Sequence, residues 1–112
     1  MVVGVCRVTM MVSEAHSLKE KRMVLRRVKD KVTNKFNAAI AEVGDQDSWQ
    51  TAQLGFAVVS NEMGFTQAMV QKILAYIEEV AAAKIVDDEQ DYVTYGEEME
   101  TVGKYPHWEP EE

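Results

Sequence analysis

The sequence predicts an α+β domain: one four-stranded antiparallel sheet with two helices packed on a single face of it. Three observations carry this expectation. Four segments are rich in β-branched or alternating apolar residues, and two others repeat apolar residues at helical spacing. These segments follow one another as β-α-β-β-α-β, with clear turn chemistry between the second and third strands.

Val2 to Val12 reads as the first strand. Its even positions (Val2, Cys6, Val8, Met10, Val12) are apolar apart from Gly4, and its odd positions (Val3, Val5, Arg7, Thr9, Met11) are mixed. A helix follows from Ser17. The Ser17 hydroxyl is placed to accept from the Glu20 amide and the Glu20 carboxylate to reach back to the Ser17 amide, a capping box. Leu18, Leu25, Val28, Val32 and Phe36 form its apolar stripe, with Asn34 and Asn37 as terminators. Ala38 to Val43 is a short second strand and Thr51 to Ser60 a third, joined through Gly44-Asp45-Gln46-Asp47-Ser48 as a hairpin.

A second helix lies within Phe65 to Val80, with Met69, Val70, Ile73, Leu74, Ile77 and Val80 on its apolar side. Lys84 to Tyr95 is a fourth strand, whose acidic middle suits an edge position. The order is that of the ferredoxin-like split βαβ pattern, which puts strands 1 and 3 in the centre and strands 2 and 4 at the edges. Residues 1–95 form this domain, and residues 96–112 are an acidic C-terminal tail.

At 112 residues the chain suffices for one domain, and its apolar (46%) and charged (28%) fractions exclude wholesale disorder. The net charge of −7 is unevenly placed. Residues 1–37 hold nine basic and three acidic side chains, whereas residues 87–112 hold one basic and ten acidic. The lone cysteine, Cys6, forms no internal disulfide and favours a reducing, cytoplasmic setting. The apolar start is broken by Arg7 and lacks a charged leader, so it does not read as a signal peptide, and no stretch reaches transmembrane length.

The first helix concentrates the cations. Eight of the twelve Lys and Arg residues fall between Lys19 and Lys35. Lys19, Lys21, Arg22, Arg26, Arg27, Lys29, Lys31 and Lys35 are candidates for binding RNA or another anionic partner. Within the helix only Glu20 and Asp30 oppose them, and like charges at i,i+4, such as Arg22 with Arg26, work slightly against the helix itself. The plainer reading is a solvated face paired to nearby acids or to the tail.

The string Ser17-Leu18-Lys19-Glu20-Lys21-Arg22, then Lys35-Phe36-Asn37, Ala41-Glu42, Asp47-x-Trp49, Ala52 and Gly55, resembles the YlxP-like family of small bacterial proteins, catalogued as a domain of unknown function. The resemblance runs from the first strand to about Tyr95. It implies a ferredoxin-like fold in a cytoplasmic bacterial protein, with no catalytic residues to carry over. Genes of the family often neighbour those for translation factors and a ribosome maturation factor, so the resemblance implies an accessory role in translation or ribosome maturation. The expected function is a non-enzymatic accessory that binds RNA or a ribosomal particle. The alternative is a dimeric protein-interaction module whose basic helix docks an acidic protein partner or its own acidic tail.

Other motifs point elsewhere or nowhere. Gly55-Phe56-Ala57-Val58-Val59 looks like part of an RNA-recognition motif, but Leu54 and Val58 stand where a basic and a stacking aromatic residue belong. Phe56 therefore reads as core. Val3, Val5, Met11, Ala57 and Val59 fall on the sheet face away from the helices and are candidates for self-association, with a homodimer as the expected assembly. The competing expectation is that the tail, with Tyr105 and Trp108, covers that face. Glu42, Asp45 and Asp47 match no metal loop, and Asp45 and Asp47 are expected to cap turn amides. Trp49 is expected to anchor the hairpin against a neighbouring element. His16 and His107 are the two histidines, and Cys6 should face the core as an inert thiol. No cofactor, metal, membrane or small-molecule substrate is indicated.

Overall fold

A computed structural model describes residues 1–13 and 15–96 of the chain. The elements are β1 (Val2–Met11), α1 (Leu18–Lys35), β2 (Ala39–Gly44), β3 (Thr51–Ser60), α2 (Met63–Ala81) and β4 (Lys84–Thr94). The sheet order is β2-β3-β1-β4, and every neighbouring pair is antiparallel. This is the ferredoxin-like arrangement, with the two most apolar strands in the centre. The proposed tail at 96–112 lies, after Gly96, outside the described residues, as do Tyr105, His107 and Trp108.

Alternation decides which side of each strand is covered. Val2, Cys6, Val8 and Met10 of β1 and Ala52, Leu54, Phe56 and Val58 of β3 are buried under the helices. All of these except Val2 meet Leu25, Val28 and Val32 of α1 and Val70, Ile73, Ile77 and Ala81 of α2 in one core. Gly4 lies on the same side because α2 comes very close there. A Cβ at Gly4 would lie 2.8 Å from Thr66 Cγ2 and 3.0 Å from Tyr92 Cε2. The first and last strands are also tied end to end, since the Met1 ammonium donates to the Tyr95 carbonyl at 2.6 Å and the Tyr95 amide to the Met1 carbonyl at 2.7 Å.

Several boundaries and caps differ from the sequence reading. Ser17 caps α1, its hydroxyl accepting from the Glu20 amide at 3.1 Å. The Glu20 carboxylate, however, accepts from the His16 amide at 2.7 Å, one residue earlier than the capping box requires. Helix α2 is longer at both ends than Phe65 to Val80. Glu62 caps its start by accepting from the Phe65 amide, and Ala82 ends it in the left-handed region at φ 50°. Among the described residues, no hydrogen bond to an aspartate side chain holds the turn between β2 and β3. Asp45 itself adopts φ 56°, and its carbonyl accepts from the Ser48 amide, while the Ser48 hydroxyl accepts from the Thr51 amide.

Candidate functional site

Helix α1 rests on the sheet through a stripe of Leu25, Val28 and Val32, and this sets where its cations point. Lys19, Arg22, Arg26, Arg27 and Lys31 are exposed, and Lys29 is half-buried. Among the described residues none of these six forms an ion pair. From Lys19 to Lys31 the helix rises about 18 Å, at about 1.5 Å per residue. The result is a cationic strip along the outer side of α1, with Asp30 as its exposed acid and Glu20 already engaged at the cap.

Lys35 is exposed but stands apart from the strip. Its Nζ lies 4.8 Å from the Tyr76 ring centroid and 5.9 Å from that of Phe36, a cation–π contact at the junction with α2.

Lys21 is a correction. The sequence reading placed it among the binding cations, but it is 1% exposed and lies inside the domain. Its position explains why: residues 21, 25, 28 and 32 recur at core spacing, so Lys21 fills a place in the apolar stripe. The ammonium donates to the carbonyls of Asp45 (2.7 Å), Ser48 (2.5 Å) and Thr51 (3.0 Å). Those bonds use all three of its protons. The Glu42 carboxylate stands 3.3 Å away, so its buried Oε2 gains charge attraction without a hydrogen bond. Lys21 thus clamps the β2–β3 turn onto α1 and is unavailable to a partner.

Trp49 sits beside this clamp, 39% exposed, with its ring tilted toward His16 at 6.4 Å between centroids. Phe56 is buried at 3% exposure and offers no stacking platform. Cys6 is also in the core. Burial first, and the Asp88 carboxylate second, push its thiol up to about 11. Burial likewise raises the Tyr92 hydroxyl, with Cys6 and Asp88 adding to the shift. Tyr92 donates to Gln90, which in turn donates to Asp88. No group of three or more His, Cys, Asp or Glu residues gathers as metal ligands among the described residues. No helix among them is long and apolar enough to cross a membrane.

On the opposite side of the sheet, Val3, Val5, Met11, Ala57 and Val59 share the face that neither helix covers, as their register requires. Val43 joins them from β2, with its side chain 3.1 Å from where a Gly55 Cβ would be.

Comparison with known proteins places this chain. The de novo designed protein with a ferredoxin fold, solved in solution, superposes with a TM-score of 0.52 at 20% identity, over 85% of this chain and 87% of that one. That likeness concerns the fold alone. The uncharacterized protein YlxP of Bacillus subtilis (strain 168) is 42% identical over 76 residues, which is 68% of this chain and 83% of the relative. The family described as "Protein of unknown function (DUF503)" matches residues 3–90, and this chain belongs to it.

Proposed function

We propose that the protein is a non-enzymatic binding module that docks on the phosphate backbone of structured RNA, such as a ribosomal particle presents, through the outer side of α1. One observation carries this reading: Lys19, Arg22, Arg26, Arg27, Lys29 and Lys31 line one side of a helix with no ion-pair partner among the described residues, in a chain of net charge −7. In an acidic protein, a strip whose cations have no ion-pair partner among the described residues gives a surface potential opposite to the overall charge, which favours an anionic partner. Phosphate contacts are sequence-blind, so the module would recognise backbone rather than bases. The absence of an aromatic residue within α1 agrees with this, since base stacking needs one. The buried cysteine suits a reducing cytoplasm, the setting such a partner implies.

The test is a fluorescence-anisotropy titration with ribosomal RNA fragments at low and physiological salt. If all six cations meet phosphates, raising salt from about 50 to 200 mM weakens binding about a thousand-fold. The combined variant Arg22→Glu, Arg26→Glu, Arg27→Glu abolishes measurable binding at low salt. Binding that is insensitive to those substitutions rejects the reading. So does capture of an acidic protein segment by the same face without RNA affinity.

A further inference from the structure

The sheet face that neither helix covers is a second surface, on the far side of the domain from α1. Val5 and Met11 are each 42% exposed there, Val43 52% and Val59 59%. Between these larger side chains the register sets small ones. Ala39 lies opposite Ala57, which lies opposite Val5, and Ala41 lies opposite Gly55, which lies opposite Arg7. The small residues floor a shallow depression that is largely open to solvent, bounded by Val43 and, on the β4 side, by Glu89 and Asp91. Val59 projects into solvent beside it, next to its half-buried cross-strand partner Val3.

Charge on this face is one-sided. Strands β2 and β3 bring none to it, and β1 brings Arg7, already paired to Glu89 at 2.6 Å. Strand β4 brings Lys84, Asp87, Glu89 and Asp91. A neutral apolar centre with a charged margin is the anatomy of a protein interface. The neutral half gives a cationic or anionic partner nothing to recognise. The acidic margin repels RNA.

We propose that this face is where two copies of the chain pair, sheet against sheet about a twofold axis, with the β2–β3 half at the centre and β4 at the rim. A depression and a projecting side chain on one face are what a twofold interface needs, because each copy must supply both the surface that enters and the surface that receives. The area suffices. Strands about 4.8 Å apart, three of them ten or eleven residues long and β2 six, present roughly 600 Å² of sheet face per copy, or on the order of 1,200 Å² for two. That reaches the lower bound of specific interfaces. The pairing leaves both α1 helices facing outward and is independent of what they bind.

Sedimentation velocity of the full chain over a range of concentrations tests the proposal. The expected result is a monomer–dimer equilibrium. The double variant Val5→Asp, Val59→Asp raises the dimer dissociation constant at least about ten-fold, because paired sheets would bury its carboxylates without partners. Circular dichroism checks that the variant stays folded. A chain that remains monomeric at the highest concentration overturns the proposal. A dimer unaffected by the aspartates overturns it too.

Discussion

At Lys21 an ammonium group is enclosed by three carbonyls and one carboxylate and is 1% exposed. Removing the charge strands Glu42 and orphans acceptors, so Lys21→Met should cost about 3–5 kcal/mol in urea unfolding. The double variant Lys21→Met, Glu42→Leu should recover part of that loss, because it removes the stranded carboxylate as well. A single-variant cost below about 1 kcal/mol would mean the clamp is not formed. This residue also shows where sequence reasoning fails. Its spacing from Leu25, Val28 and Val32 marks a core position, but its type reads as solvent-facing, and its partners are backbone carbonyls, which carry no side-chain signature. Cys6 gives a pH prediction. With its thiol raised to about 11 in the fold, its contribution is complete while the thiol is neutral in both states. Above the ordinary thiol value the unfolded chain releases its proton while the fold retains it, so stability falls as pH rises toward the folded value. Chemical unfolding at a series of alkaline pH values should show this decline in the parent and a shallower one in Cys6→Ala.

Among the elements, α1 depends most on local chemistry, because its outer side carries mutually repelling cations. Its Ser17 cap is therefore exposed to a direct test: Ser17→Ala should destabilise the domain by about 1 kcal/mol, read as a lower thermal midpoint. Strand β1 meets a different limit. At Gly4 any side chain collides with Thr66 and Tyr92, so Gly4→Ala should destabilise by pushing α2 off the sheet. Hydrogen exchange should show the loosening first at α2. The strands were legible because alternation in Val2–Met11 and Thr51–Ser60 leaves a single choice of inner face. The ends of α2 were not. Glu62 is an uncommon cap and Ala82 an uncommon left-handed residue, so neither announces a boundary.

Over the whole molecule, both helices lie on one side of the sheet, and the two proposed surfaces therefore face in opposite directions. They should separate by mutation. The Arg22→Glu, Arg26→Glu, Arg27→Glu chain should lose RNA affinity yet keep the parent's unfolding midpoint and sedimentation behaviour. An unfolding midpoint that falls sharply would show that those guanidinium groups support the fold instead. The topology was readable because element order and strand polarity agree: apolar strands are central, and the acidic one lies at an edge. Of the eight basic positions singled out on α1, six form the outer strip, Lys35 caps an aromatic pair, and Lys21 turned inward.

The inward lysine also bears on how the polypeptide is made. Its acceptors lie 24 to 30 positions downstream, at Asp45, Ser48 and Thr51. A nascent chain that has exposed only its first forty residues carries a stray cation at the head of a greasy stripe, without those carbonyls to receive it. The lysine clamp cannot close until residues 45–51 have left the ribosome, which makes the emergence of residue 51, well after that of the helix itself, a natural checkpoint for this tertiary contact.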